Sequence, residues 1–123
     1  MNDCVKELIE TIDKYYKRNR SLIDTMSKAQ LSSEKAIRAI TKAATHCGCI
    51  EFYAKKQPAD LDAEVPSLAS GRLCENCSDE IENELGQSLF YLISLAVLLG
   101  YNPAEIINKE NHKIKMLGKF NLR

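Results

Sequence analysis

Apolar side chains recur along this chain at the three-and-four spacing of a helix face, and no stretch sustains the two-residue alternation of a half-buried strand. Val5, Leu8, Ile9, Ile12 and Tyr16 form one such stripe. Lys6, Glu7, Glu10 and Lys14 fall on its outer side, which predicts a first helix over Asp3 to Lys17. Polar residues from Arg18 to Ser21 break the pattern, and Leu22 to Met26 reads as a further helical turn. A second helix is expected to open at Ser32-Ser33-Glu34, where a serine can accept from the free N–H groups, and to run to Lys56. Its stripe is Ile37, Ile40, Ala44, Cys47 and Ile50, and Pro58 stops it. Residues 58–77 are rich in proline and small side chains and read as a loop ending in Cys74-Glu75-Asn76-Cys77. The third helix is expected over Ser78 to Leu99, with Ser78 as its cap and Gly100 as its stop. Asn102-Pro103 then starts a fourth helix to Met116 that presents Ile106, Ile107 and Ile114. Tyr15, Tyr16, Tyr53 and Tyr91 sit at helical spacing as packing residues. The expectation is an all-α fold, a four-helix bundle in one domain over residues 1–123.

The third helix is apolar almost all round from Leu89 to Leu99. A chain of 123 residues cannot cover such a helix on every side. Burial of one Leu or Phe contributes roughly 1.5–3 kcal/mol, so a homodimer through the 78–99 helix is expected. Seventeen basic and seventeen acidic side chains cancel, which removes the charge excess that nucleic acid or an anionic membrane surface demands. The apolar run is too short to span a bilayer. Met1-Asn2-Asp3-Cys4 lacks the basic-then-apolar pattern of a secretory leader, so the expected location is the cytoplasm.

In a reducing compartment, paired cysteines point to metal or redox chemistry ahead of structural disulfides. Four of the five cysteines are paired, as Cys47-Gly48-Cys49, preceded by His46, and as Cys74-x-x-Cys77. Thiolates presented twice by short turns suit Zn²⁺. On an unbroken helix His46 and Cys49 share a face, whereas Cys47 and Cys49 are about 200° apart and cannot both reach one ion. That favours His46, Cys49, Cys74 and Cys77. If Gly48 loosens the helix, Cys47 replaces His46 and the four-sulfur set also suits an iron–sulfur cluster. Disulfide exchange between the two pairs, a redox switch, is the other use of these thiols. Cys4 stands alone near the terminus, and His112 reads as a solvated side chain on the last helix.

The segment from Glu82 to Lys109, ENELGQSLFYLISLAVLLGYNPAEIINK, resembles the C-terminal half of MazG-like nucleotide pyrophosphohydrolases. In that family an acidic E-x-x-D is followed by an apolar run, a glycine, and a last helix carrying Lys and Asn. Thr45-His46-Cys47-Gly48-Cys49 falls where the family carries E-E-x-x-E and keeps the glycine before the last position. The resemblance implies four helices, a dimeric or higher assembly, and Mg²⁺ held by carboxylates against a nucleoside triphosphate. The two acidic pairs map onto His46 with Cys49 and Glu84 with Gln87, so one carboxylate of four is kept. Imidazole, thiolate and amide suit Zn²⁺ better than Mg²⁺. The expected function is a structural, sensory or regulatory protein in which a Cys/His zinc site has replaced the carboxylates, with residual nucleotide binding. Hydrolysis at Glu84 is the alternative, with Glu51, Asp79 or Glu80 adding carboxylates. Lys109 and Asn111 match the family's phosphate-side residues.

Overall fold

The computed structural model describes residues 3–16, 21–52 and 69–118. Four helices and one small hairpin follow in the order α1 (Asp3–Thr11), α2 (Leu22–Lys42), β1 (Ile50–Phe52), β2 (Ala69–Gly71), α3 (Glu75–Leu98) and α4 (Pro103–Leu117). Wider π-type turns extend α1 through Ile12–Tyr16 and α2 through Ala43–Cys47. The mostly helical architecture agrees with the sequence pattern. The loop expected over 58–77 lies largely outside the described residues, as do Lys17 and Tyr53.

The second helix starts earlier and ends earlier than its apolar stripe indicates. Ser21 caps it, its Oγ accepting from the Asp24 N–H at 3.0 Å, and the turn at Leu22 to Met26 belongs to the same helix. Ser32 is no cap. It is buried inside the helix, where its Oγ donates to the Ala29 carbonyl at 3.1 Å. At the other end the chain leaves the helix at Gly48, whose φ of +83° is left-handed, and turns into β1 instead of running on to Lys56. Two strands were not expected. They pair antiparallel, with Ile50 opposite Gly71 and Phe52 opposite Ala69. At three residues each they are too short to carry a period.

The heart of the fold is the antiparallel pair α2–α3. Its α2 side is Thr25, Ala29, Ser32, Ala36, Ala39 and Ala43, all buried. Those small residues alternate at four and three positions, so they form a straight seam that lets the backbones approach closely. The expected isoleucine stripe is therefore not the buried face: Ile37 is 62% exposed. At one end of the pair, Ala39, Ala43 and Ile81 make a small core to which Ile40, Cys49, Ile50 and Cys77 are added. Towards the other end, Ile12, Tyr16 and Val97 form a second core with Phe90 and Tyr91 against it. Tyr16 meets both rings edge-on, and its hydroxyl is hydrogen-bonded to Thr25 Oγ1 at 2.7 Å. Tyr15, by contrast, is exposed, with the Lys14 ammonium over its ring.

α4 departs from a regular bundle. It is capped as expected, Asn102 Oδ1 accepting from the Ala104 N–H at 3.0 Å with Pro103 next. It then bends by 107° from α3 and buries only Pro103, leaving Ile106 and Ile107 nearly half exposed. Among the described residues no single helix is long and apolar enough to cross a membrane.

Candidate metal centre

Three local devices bring four sulfurs together at the end of the α2–α3 pair. First, the π-type turn ending α2 leaves the Ala43 carbonyl free to accept from the Gly48 N–H at 2.9 Å and from the Cys49 thiol at 3.7 Å. The left-handed Gly48 reverses the chain between the two cysteines, so the 200° separation of a continuous helix no longer applies. Second, Gly71 of β2 sits against the Cys49 backbone with φ +95°, and a Cβ there would stand 2.6 Å from the Cys49 carbonyl oxygen. Third, Cys74 is itself the cap of α3, in place of the expected Ser78; its Sγ accepts from the Cys77 N–H at 3.4 Å.

The result is a cluster of Cys47, Cys49, Cys74 and Cys77 whose Sγ atoms all lie within 4.8 Å of one another. Cys47 and Cys74 approach to 3.7 Å. Cys47 is exposed and the other three are half-buried, Cys49 and Cys77 against the Ala39–Ala43–Ile81 core. Cys47 is thus a surface ligand candidate and not part of an apolar stripe. His46 is not in this group. Its exposed ring lies with Nδ1 2.9 Å from Thr45 Oγ1. Of the two ligand sets open from sequence, the geometry assembles the four-sulfur one.

The sulfurs are electrostatically unequal. The Cys77 N–H and then the Cys77 thiol, both donating to Cys74 Sγ, pull the Cys74 thiol down to about 7. The same pairing pushes Cys77 well above the ordinary thiol range, because its proton is shared with Cys74. Cys47 is likewise raised, chiefly through its contact with Cys74. The start of α3 also contributes the positive end of its dipole. In metal-free, reduced protein the thiolate therefore forms first at Cys74 as pH rises through about 7. Iodoacetamide is expected to label Cys74 ahead of Cys47 and Cys77 at neutral pH, by peptide mass spectrometry, with the other two following only in alkali. Labelling led by Cys47 would contradict this order.

The other sequence-derived residues lie elsewhere. Glu84 is seven residues beyond Cys77, about 10 Å along α3, and does not join the sulfurs. It lines a 160 Å³ cleft with Glu80 and, across from them, Lys35, Arg38 and Lys42 of α2. Gln87 lines the next cleft along the same edge, with Lys28 and Lys35. Lys109 and Asn111 are exposed on α4 and line neither cleft. His112 is exposed, and Glu51 is exposed on β1. Two structural positions give the fold around these elements its shape without having been expected: Ser21, which caps α2, and Gly71, which lies against the Cys49 backbone. Ser21-x-x-Asp24 carries a visible capping signal; an isolated glycine in a proline-rich stretch gives none. Comparison with protein-family models, with curated proteins and with solved structures finds no match to this chain.

Proposed function

We propose that Cys47, Cys49, Cys74 and Cys77 hold one tetrahedral Zn²⁺, and that the ion is a structural or regulatory staple joining the end of α2, the β1–β2 hairpin and the start of α3. The observation that carries this reading is the spacing of the sulfurs. Around an ion with Zn–S bonds of about 2.3 Å, tetrahedral ligands stand about 3.8 Å apart. Cys47 and Cys74 are already at 3.7 Å, and the whole set lies within 4.8 Å. A multi-iron cluster interposes several irons and bridging sulfides between its thiolates and needs them further apart, so a single ion fits better. Four thiolates also complete a tetrahedron. No coordination position remains for water or substrate, which fits a structural or sensing centre and not a catalytic one. The MazG-like resemblance supplies the scaffold in this reading, with the hard-metal carboxylates exchanged for a sulfur site.

Elemental analysis of protein purified under reducing conditions tests it. One zinc per chain is expected, retained in His46→Ala and lost in Cys74→Ser and Cys77→Ser. Metal-free protein, or loss of zinc in His46→Ala, would reject the assignment, and iron with visible absorbance would replace zinc by a cluster.

A second reading, nucleoside triphosphate hydrolysis at Glu84, draws on the cleft where Glu80 and Glu84 face Lys35, Arg38 and Lys42. Two carboxylates for a divalent ion beside three cations for phosphate is a sensible pairing. The cleft ranks second because 160 Å³ is below the roughly 300–1,000 Å³ of small-molecule sites. Turnover of nucleoside triphosphates with Mg²⁺ or Mn²⁺, abolished by Glu84→Ala, would promote this reading over the first.

A further inference from the structure

The bend after α3 leaves a cavity that neither the four-cysteine centre nor the Glu84 cleft uses. α3 stops at Gly100, whose φ is +87°, and α4 sets off at 107° to it. α4 buries only Pro103, and between α1 and the corner of the two helices lies a hollow of 570 Å³. That is more than three times the volume of the clefts beside Glu84 and Gln87. It falls inside the roughly 300–1,000 Å³ of small-molecule sites. Val97, in its wall, is twenty residues along α3 from Cys77, so the hollow is about 30 Å from the sulfurs.

Its floor and its mouth differ in chemistry. Ile9 with the buried Val97 and Pro103 makes an apolar floor, and Tyr101, 62% exposed, adds an aromatic wall. α1 and its extension supply the mouth. Asp3, Lys6, Glu10 and Asp13 recur at three and four positions, which puts them on one helix face, and all four are exposed. In charge, three carboxylates are set against one ammonium. Among the described residues, the four cysteines are the group whose ligand atoms come close enough to share one ion; these carboxylates do not converge in that way. The opening turn of α4 offers nothing to an anion either. Asn102 Oδ1 accepts from the Ala104 N–H, the Asn102 carbonyl accepts from Glu105 and Ile106, and Pro103 has no N–H to give.

We propose that this cavity binds a small organic cation, a primary amine or guanidinium carried on an aromatic or branched apolar body. The body displaces water from Ile9, Val97 and Pro103 and lies along the Tyr101 ring. The cationic head stays at the mouth beside Asp3 and Glu10, where it gains their field without the cost of burying a charge. Three other ligand classes fit less well. A nucleotide or a carboxylic acid would bring its anion against the acidic rim. A bare divalent ion needs several oxygens converging on one point, and the carboxylates do not supply them. A neutral apolar molecule would leave the charged rim unused. Binding here does not depend on the metal centre.

Titration of isotope-labelled protein with phenethylammonium chloride in low-salt reducing buffer, followed by amide chemical shifts, tests it. Saturable binding with a Kd of about 1 mM or tighter is expected, with the shifts confined to α1 and the α3–α4 corner. Ethylammonium, the head without the ring, is expected to bind at least ~tenfold more weakly. Hydrocinnamate, a similar ring and chain with the opposite charge, is expected to bind at least ~tenfold more weakly as well. In a variant carrying both Asp3→Lys and Glu10→Lys the preference between the two aromatic probes is expected to reverse. Both side chains are exposed, so the circular dichroism spectrum should not change. If that variant loses helicity, the milder pair Asp3→Asn and Glu10→Gln replaces it, with an expected loss of roughly fivefold for phenethylammonium. Three results would each overturn the proposal: no saturable binding of phenethylammonium, equal binding of the two aromatic probes by the wild-type chain, or shifts centred on the Glu80–Glu84 cleft.

Discussion

If the four-cysteine centre holds Zn²⁺ as proposed, stripping the ion is expected to lower the melting temperature by at least ~15 °C, and adding back Zn²⁺ under reducing conditions to restore it. The size of the effect follows from how little else joins the two long helices at that end. Among the described residues the buried apolar set is Ile12, Tyr16, Val97 and Ile81 with Ala29, Ala36, Ala39 and Ala43. Half of it is alanine, and one methyl group contributes only about 0.8 kcal/mol on burial. Near the four-cysteine centre the core is thinner still, with Ile81 the only large buried side chain of its cluster. A structural zinc ion contributes on the order of 10–16 kcal/mol of apparent binding free energy, so it outweighs that cluster. A loss of only ~3 kcal/mol already moves the midpoint of a domain this size by more than ~10 °C. Far-ultraviolet circular dichroism melts of the same preparation, with and without chelator and at one concentration, make the measurement. Superimposable curves would mean that the sulfurs carry no stabilising ion.

The second large effect is expected at a residue with no side chain. Gly71→Ala should lower zinc affinity by roughly 10–100-fold, as loss of a supporting shell typically does. It should also destabilise the protein by about 2–4 kcal/mol. Two costs combine here. The backbone at Gly71 has φ +95°, where a Cβ costs roughly 1–2 kcal/mol by itself. In addition the new carbon would stand 2.6 Å from the Cys49 carbonyl and 3.2 Å from the Ile50 Cα, both main-chain atoms that cannot swing aside. Relief requires β2 to separate from β1, and Cys49 moves with β1. Gly86→Ala is the matched control. That glycine lies inside α3 with open space around its missing Cβ, so the substitution should be neutral or stabilising by up to about 1 kcal/mol. Competition titration with a chromophoric zinc chelator separates the two variants. Equal affinities for Gly71→Ala and Gly86→Ala would remove Gly71 from the centre.

Read alone, the amino-acid order determined the helical class, because spacing of apolar residues at three and four is a local property of each segment. It also determined the cap at Asn102-Pro103 and the pairing of the thiols, since both are written within a few consecutive residues. It did not determine which residues face inward on α2. Ile37 is the more hydrophobic choice, yet Ala36 and Ala39 are buried, because close approach of two backbones rewards small side chains over large ones. The choice between His46 and Cys47 was likewise tertiary. It turned on one left-handed glycine and on a three-residue strand pairing with another some twenty positions away, and neither contact leaves a period in the sequence. The bend that carries α4 off the bundle, and the exposure of Leu85, Leu89 and Leu92, are tertiary features of the same kind. Local patterns say which elements form; only the long-range contacts say which of their faces meet.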